Sequence, residues 1–267
     1  MIVLFTDFGT RDAYVAQLKG VILGIHPTAQ LLDLTHEVRV FDVREAAYLL
    51  DAAVRYFPAG TICLGVVDPG VGTARRPLLL CTQEGKTYVG PDNGLFTRVL
   101  AREGLQAVYT LTQTAYFLPQ VSTTFHGRDI FAPVAAHLAR GVAPTAFGPA
   151  IDDMVCLPAP APQRAAHELL GEVLHIDHFG NVITNIPAAW FPGLAPGHRV
   201  ACTLEACTHI LPYVTTYGGV PQDQLVCLLN SSAEFEIALP CASAAQRLGV
   251  QVGTAVRLRQ LGPPAGA

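Results

Sequence analysis

The sequence predicts an α/β amino-terminal domain with a mostly parallel central sheet, followed by a small all-β, barrel-like carboxy-terminal domain. Three observations support this prediction. Strand-like and helix-like segments alternate through residues 1–157, which is typical of a parallel sheet covered by helices. A proline-rich stretch, PAPAP, occupies residues 158–162. Beyond it, short apolar runs are separated by Gly, Pro and Asn turns, as in small barrels.

In the first half, short aliphatic runs bounded by polar or turn residues predict four strands. These are Met1–Thr6, Leu31–Leu34, Thr61–Val67 and Leu78–Thr82. Apolar residues at three- and four-residue spacing predict the helices between them. The predicted helices are Asp12–Ile25, Arg44–Tyr56, Phe96–Arg102 and Ile130–Arg140.

In the second half the apolar runs are short, and only Ala244–Leu248 has a helical pattern. The predicted strands are Leu170–Ile176, Val182–Ile186, Arg199–Leu204, Leu225–Leu229, Phe235–Leu239 and Ala255–Leu258. We therefore expect an α/β domain over residues 1–157, a stiff proline-rich linker over 158–167 and a β domain over 168–262.

Composition excludes several classes of partner. The chain has 267 residues and a formal net charge of −4, with only two lysines, so nothing in it favours nucleic acid or an acidic membrane surface. No run approaches the roughly 20 apolar residues that a membrane helix needs. The opening residues, Met1 to Gly9, predict a buried strand in place of a signal peptide, so we expect a cytoplasmic protein.

The cysteine and histidine positions do not predict a metal site. Seven cysteines are scattered without a C-x-x-C pair, and the histidines have no H-x-H spacing. The common nucleotide-binding, esterase and metalloprotease motifs are also missing from the sequence. We expect neither a disulfide framework nor a bound metal.

Polar residues cluster after two predicted strands, where α/β proteins commonly bind ligands. The first cluster is residues 6–12, TDFGTRD, in which Asp7 can accept hydrogen bonds from a ribose diol and Asp12 fits a helix cap equally well. The second is residues 67–76, VDPGVGTARR, in which Asp68 fits either a functional site or a Pro-Gly turn.

Two further clusters lie in the first half. Residues 90–94, GPDNG, have the chemistry of a turn, and we favour a structural role, with Asn93 capping the next helix. Residues 123–129, TTFHGRD, place His126 in a polar loop at a helix start, where the helix dipole favours the neutral imidazole. A purely structural histidine is the alternative there. In the second half, residues 177–185, 217–219 and 230–232 fit hairpin turns as well as a site.

Taken in order, seven segments resemble one family, the S-adenosylmethionine (SAM) hydroxide adenosyltransferases, which are relatives of the SAM-dependent fluorinase and chlorinase. The segments are D-F-G-T-x-D, L-T-H-E at 34–37, D-P-G-V-G-T at 68–73, G-P-D-N-G-L-F at 90–96, T-F-H-G-R-D at 124–129, D-x-F-G-N-V-x-T-N at 177–185 and L-N-S-S at 229–232. Together they span both predicted domains.

The resemblance implies hydrolysis of SAM to adenosine and methionine by attack of water on C5′, with Asp68, Arg75 and His126 as the catalytic set. We expect Arg75 to orient Asp68 through a bidentate ion pair and His126 to hold the water as an acceptor. The resemblance also implies a homotrimer with active sites between subunits. SAM is the substrate, and no cofactor is expected.

The resemblance assigns substrate contacts as well. Asp7 takes the ribose hydroxyls, Asp177 the methionine ammonium and Ser231 its carboxylate. The remaining implied contacts are aromatic residues and one amide that reads the adenine edge: Phe41, Phe125, Phe179, Tyr217 and Asn181. Ser232 stands where the halogenases have arginine, which leaves the neutralisation of the carboxylate unassigned.

Two alternatives to hydrolysis stay open at this point. One is a halogenase that uses chloride or another anion as the nucleophile. The fluorinase differs in having tyrosine at the positions of Asp68 and His126 and a loop insertion in the first domain, so the resemblance favours hydrolysis. The other alternative is a SAM- or adenosine-binding sensor whose turnover is incidental.

Overall fold

The computed structural model describes residues 1–158, 160–165 and 167–262. The chain divides into two compact units, Met1–Pro158 and Ala159–Ala267. Two residues of the predicted linker, Ala159 and Ala166, lie outside the described residues. Gln163–Arg164, which also belongs to the predicted linker, forms a short strand that pairs with Leu169 and Leu170 of the second unit.

The first unit contains a six-stranded mixed sheet. Its strands are β1 (Ile2–Thr6), β2 (Leu31–Thr35), β3 (Ile62–Val66), β4 (Pro77–Thr82), β5 (Thr87–Pro91) and β6 (Leu105–Thr110). They are arranged in the order β2-β1-β3-β5-β4-β6. The strands β2, β1, β3 and β5 are parallel to one another. Strand β4 is antiparallel to both β5 and β6. Because β1, β3 and β5 are parallel, the loops that follow them lie at one edge of the sheet.

Helices cover both faces of this sheet. They are α1 (Tyr14–Ile25), α2 (Val43–Val54), α3 (Thr97–Glu103) and α4 (Ala132–Ala139), with 3-10 turns at Thr114–Tyr116 and Pro144–Phe147. Alternate residues of β1 point to opposite faces: Leu4 packs with helices α1 and α4, and Phe5 packs with α2 and α3. The predicted α/β fold is confirmed.

Three local features differ from the sequence predictions. Strands β5 and β6 are additional to the four predicted strands of this unit. Strand β5 ends in Gly90 and Pro91, two residue types that are uncommon within strands. Helix α1 begins after Ala13, which provides no side-chain cap, so Asp12 does not cap it. The helix predicted from Ile130 instead begins with a π-helical turn at Gly127–Phe131, directly after His126, and continues as α4.

The second unit is a nearly closed antiparallel barrel. Its strands are β7 (Gln163–Arg164), β8 (Leu169–Ile176), β9 (Val182–Pro187), β10 (Arg199–Leu204), β11 (Cys207–Pro212), β12 (Val226–Leu229), β13 (Glu234–Ala238) and β14 (Ala255–Leu261). They follow the path β11-β10-β14-β8-β9-β13-β12, and a bridge between Tyr213 and Cys227 brings the two ends together. The predicted helix is present as α5 (Ala244–Leu248), and a 3-10 turn lies at Ala188–Trp190. The barrel-like prediction is confirmed, with β7 and β11 as additional strands.

Candidate active site

The carboxyl edge of the first sheet brings together the polar segments that the sequence singles out. Asp7 directly follows β1, Asp68 follows β3 by two residues, and Asp92 directly follows β5. The sequence places these residues far apart, and the parallel pairing of the three strands puts their ends side by side. The edge therefore assembles a site from separate loops.

Arg75 is the centre of a buried cluster at this edge. Its Nε donates to Asp68 Oδ1 at 3.0 Å, and its Nη2 donates to Asp68 Oδ2 to complete a bidentate ion pair. Nη2 also lies 3.0 Å from His126 Nδ1. The side chains of Arg75 and Asp68 are each only 6% exposed, and the guanidinium lies over the Phe131 ring. The predicted Asp-Arg-His set is thus one hydrogen-bonded unit.

The contact with Arg75 fixes the tautomer of His126. A guanidinium has no acceptor, so Nδ1 of His126 must be unprotonated to share a hydrogen with Arg75. Burial, and then the charge of Arg75, lower the pKa of His126, whereas Asp68 and Asp129 oppose this. The imidazole is therefore neutral at neutral pH and carries its proton on Nε2.

This tautomer bears on two expectations about His126. With Nδ1 occupied by Arg75 and the proton on Nε2, the ring can offer an N–H donor to a further group, whereas the sequence analysis expects it to accept a hydrogen bond from water. Its neutrality comes chiefly from burial and the neighbouring Arg75, where the sequence pointed to a helix dipole. A full α-helix does not begin at His126, since the π-helical turn comes first.

Asp68 and His126 line a cavity of about 430 Å³ in the first unit. Three other predicted residues, Asp7, Phe41 and Phe125, line the same cavity. Arg75 lies behind the wall and reaches the cavity through its two partners. Five of the predicted site residues thus share one pocket, which joins the Asp-Arg-His set to a ligand-sized space.

Asp7 shapes one wall of this cavity. Its Oδ2 accepts a hydrogen bond from the backbone N–H of Phe41 at 2.9 Å. Phe41 has a φ of 67°, in the left-handed region that side chains other than glycine rarely adopt, and its ring is 68% exposed. Burial raises the pKa of Asp7 above its ordinary value, although the Phe41 hydrogen bond opposes the rise. The carboxylate therefore holds a strained turn that displays an aromatic ring.

Two aromatic residues of this cavity were missed by the sequence reasoning. Phe8 and Tyr14 both line it, and both contact Phe125 edge-on, with ring centroids 5.7 Å and 5.3 Å away. Phe8 follows Asp7 in the first polar cluster, so its position was the available signal. Tyr14 lies within the helix predicted over Asp12–Ile25, a position that gives no reason to place it in a site.

The second unit has its own cavity, of about 520 Å³. Four predicted residues line it, namely Asp177, Phe179, Asn181 and Tyr217, and the segment Leu239 to Ser243 completes it. Ser231 lies instead in the turn between β12 and β13, outside the lining of this cavity among the described residues. The sequence reasoning missed the segment after β13, which reads as an ordinary apolar turn.

Asp177 organises the loop that carries two of these residues. Its Oδ1 accepts the backbone N–H groups of Phe179 and Asn181, each at 2.9 Å, and its Oδ2 accepts the Asn181 amide at 2.9 Å. This Asx-type arrangement leaves the Phe179 ring 75% exposed at the cavity. The loop presents a carboxylate, an amide and an aromatic face together.

Glu236 is an unpredicted buried carboxyl next to this cavity. Its Oε1 accepts a hydrogen bond from the Tyr217 hydroxyl at 2.8 Å, and it is only 3% exposed. Burial raises the pKa of Glu236 and the charge of Asp177 adds to the rise, although the Tyr217 hydrogen bond opposes it. Glu236 therefore fixes the ring of Tyr217, which is otherwise 45% exposed.

Within the described ranges, no group of three or more His, Cys, Asp or Glu side chains has the geometry to hold a metal ion. The seven cysteines are free thiols. A search of the same residues finds no helix of the length and apolar character needed to cross a membrane.

The fold and the Arg75-centred cluster define an α/β-plus-barrel protein with a polar cavity at the carboxyl edge of its first sheet. The SAM hydroxide adenosyltransferase amino-terminal domain matches residues 2–148, and the carboxy-terminal domain of the same family matches residues 171–257. The chain belongs to this family.

Several relatives extend the comparison. An (R)-S-adenosyl-L-methionine hydrolase of Salinispora tropica is 40% identical over 95% of each chain, and one of Thermus thermophilus is 39% identical over 95% of this chain and 97% of its own. A fluorinase of an Actinoplanes species is 29% identical over 96% of each chain. The crystal structure of an uncharacterised conserved protein of Thermotoga maritima superposes with a TM-score of 0.93 at 35% identity, covering 97% of this chain and 100% of the other.

Proposed function

We propose that this chain is a SAM hydrolase that converts (R)-S-adenosyl-L-methionine and water to adenosine and L-methionine. The hydrolases named above are more similar to this chain than the fluorinase is, which favours water over halide as the nucleophile. The observation that carries the proposal is the hydrogen-bonded cluster of Asp68, Arg75 and His126, in which Asp68 and His126 line the cavity. These two side chains can offer an acceptor and a donor to one water.

The leaving group of this reaction, a thioether sulfur, needs no activation by the protein. The water oxygen forms a bond to C5′ while the C5′–S bond breaks. The electron pair of the C5′–S bond goes to the sulfur, and the sulfonium becomes the neutral thioether of methionine. No acid has to protonate that sulfur, so the protein's task is to hold the water in line and to receive its proton. SAM is the substrate of this reaction, and the proposal includes no cofactor and no metal.

His126 and Asp68 divide this task. The Nε2–H of His126 donates to the water oxygen and directs a lone pair away from the ring. An Asp68 oxygen accepts a hydrogen bond from the water and is the group that receives its proton. Arg75 holds both partners through three hydrogen bonds, and burial together with its charge keeps the imidazole neutral. Fixing one nucleophile in line is worth roughly 7–11 kcal/mol in favourable cases.

The substrate contacts follow the two cavities. In the first, Asp7 binds the ribose hydroxyls, and Phe41 and Phe125 flank the reacting carbon. In the second, Asp177 and Asn181 bind the ammonium group and the adenine edge. The remaining assignments are Phe179 and Tyr217 against the adenine face and Ser231 at the carboxylate.

We further propose a cytoplasmic homotrimer. In this arrangement the first cavity of one copy faces the second cavity of a neighbouring copy, so that each SAM molecule contacts two subunits. Neither cavity alone carries both the Asp-Arg-His set and the residues assigned to adenine, which supports a shared site. Light scattering combined with size-exclusion chromatography tests the trimer, and a monomer with full activity would overturn it.

The test of the activity uses the two sulfur epimers of SAM in water enriched in heavy oxygen. We expect steady adenosine release from the (R) epimer, with the label in the 5′-hydroxyl. Many turnovers per chain, lost in Asp68→Ala, exclude a binding sensor. Unlabelled adenosine excludes attack at C5′, and formation of 5′-chloroadenosine in added chloride would instead favour a halogenase.

A further inference from the structure

The catalytic loop of residues 67–76 is held at its first end by Asn93. The amide Nδ2 of Asn93 donates to the backbone carbonyl of Val67 at 2.8 Å. Its Oδ1 accepts the backbone N–H of Leu95 at 3.2 Å, which orients the amide. Val67 is fully buried and directly precedes Asp68, so this bond sets where the Asp68 backbone leaves the sheet.

The neighbouring residue, Asp92, holds the other end of the same loop. The Nε of Arg76 donates to Asp92 Oδ2 at 2.8 Å, and the backbone N–H of Asp92 donates to the Arg76 carbonyl at 2.9 Å. The second oxygen of Asp92 accepts the backbone N–H of Val155 at 2.7 Å. The Asp92 side chain is only 3% exposed, and Arg76 directly follows Arg75.

The middle of the loop rests on the segment that leads to His126. Gly72 has a φ of 76°, and a Cβ at this position would lie 2.2 Å from the backbone oxygen of Thr123. Only glycine permits this approach. Three contacts therefore fix the loop: one at each end from consecutive residues, and one in the middle against the chain that carries the imidazole.

We propose that Asp92 and Asn93 are positioning residues, which set the relative placement of Asp68, Arg75 and His126 by clamping both ends of the catalytic loop. This inference rests on the proposed function. Neither residue lines the first cavity, so each acts through the loop and not on the substrate. The turn at residues 90–94 thereby gains a role in the site in addition to its structural one, and Asn93 contacts Val67 where the sequence predicted a helix cap.

The most informative variant is Asn93→Asp. The new carboxylate has nearly the same shape and can still accept the Leu95 N–H, but it cannot donate to the Val67 carbonyl. The turn is kept while the clamp is lost. The matched control is Asn185→Asp in the second unit, because Asn185 also donates to a backbone carbonyl, that of Pro160, and accepts a backbone N–H, that of Glu172, each at 2.9 Å.

Two measurements are made on each variant. We expect Asn93→Asp to lower kcat by about 10- to 100-fold with KM nearly unchanged, because a displacement of about 1 Å can cost on the order of 100-fold. The pKa of His126, followed by NMR of 13C-labelled histidine, should rise toward 6.5 as Arg75 moves away from the ring. Asp68 and Asp129 are the other charged groups that act on His126. Both raise its pKa, so a displacement of Asp68 acts against the rise that follows from the loss of Arg75.

The outcomes separate this inference from the proposed function. If the wild-type protein releases no adenosine, the proposed function fails, but the histidine pKa still tests the clamp. If Asn93→Asp matches the Asn185→Asp control in both kcat and histidine pKa, the clamp is wrong. Asp92→Asn tests the other end, because its amide oxygen can still accept the Val155 N–H while its amide nitrogen cannot accept from Arg76, and it serves if Asn93→Asp does not fold. It should change both measurements in the same direction.

Discussion

The role of His126 as a hydrogen-bond donor can be tested by comparing His126→Ala with His126→Gln. The alanine variant removes the Nε2–H and the acceptor of Arg75 Nη2 together. Glutamine keeps both functions, since its amide has an N–H group and an oxygen, but it does not titrate. A donor can therefore be replaced by glutamine, and a general base cannot.

The scale of the effect follows from the role of the donor in positioning the water. A displacement of about 1 Å can cost on the order of 100-fold, so His126→Ala should lower kcat by roughly 10²-fold. A general base contributes a similar 10²- to 10⁴-fold, so the alanine variant alone does not separate the two roles. We expect His126→Gln to stay within about tenfold of the wild-type kcat, because the lost interaction is then mainly one of geometry.

The pH dependence supplies the second readout. Burial and Arg75 lower the pKa of His126, so the neutral ring persists below the ordinary value of 6.5. Wild-type kcat should be constant above that lowered pKa and fall as the pH drops through it, because protonation at Nδ1 breaks the contact with Arg75. In His126→Gln this acid limb should disappear.

The assay is adenosine release at saturating SAM between pH 5 and 9, quantified by chromatography. The thermal midpoint of each variant, measured in the same buffers, controls for unfolding. If His126→Gln is as slow as His126→Ala, the donor assignment is refuted and His126 acts as the base. An acid limb that survives in His126→Gln would show that another group titrates in the wild-type protein.

Three further predictions concern the two cavities. Asp68→Asn should lower kcat by at least about 100-fold. It should also raise KM, because the unpaired charge of Arg75 then repels the cationic substrate. Steady-state kinetics measure both effects, and an unchanged KM would contradict the prediction. Asp177→Asn should raise KM by about tenfold or more with little change in kcat. Its carbonyl oxygen still accepts the two loop N–H groups, but the charge that attracts an ammonium and the hydrogen bond from the Asn181 amide are lost. Equal effects on kcat and KM would count against the assignment. Tyr217→Phe and Glu236→Gln should each raise KM two- to tenfold, which corresponds to the loss of one hydrogen bond of about 0.5–1.5 kcal/mol. The double variant should raise KM little more than either single variant. Fully additive effects on KM would show that the two residues act separately.

Much of the first cavity follows from the sequence because its residues come directly after strands with a clear apolar pattern. Strands β1 and β3 are fully buried runs, and the polar residues after them, Asp7 and Asp68, had to lie at a sheet edge. Arg75 belongs to the same loop as Asp68, so their ion pair is local in sequence. His126 is 51 residues from Arg75, and only the family resemblance joined it to the site.

Other features depend on tertiary contacts that no local pattern records. Strand β5 contains Gly90 because a Cβ there would lie 2.2 Å from the Gly65 oxygen of the adjacent strand β3. Glu236 lies between Phe235 and Ile237, so alternation along β13 places it on the face away from the core. Its hydrogen-bond partner, Tyr217, belongs to a distant loop. The tautomer of His126 likewise depends on the position of Arg75.

The pairing of Arg75 with Asp68 resolves an electrostatic conflict in the proposed reaction. A cationic sulfonium should be repelled by a guanidinium, and two like charges about 4 Å apart cost roughly 4 kcal/mol at an effective dielectric constant near 20. The bidentate carboxylate cancels that charge at longer range, and Asp7 lines the same cavity with a second carboxyl group. At the contact with His126, however, the guanidinium N–H groups still fix the direction of the ring. Arg75 can therefore orient the water-binding groups without excluding a positively charged substrate.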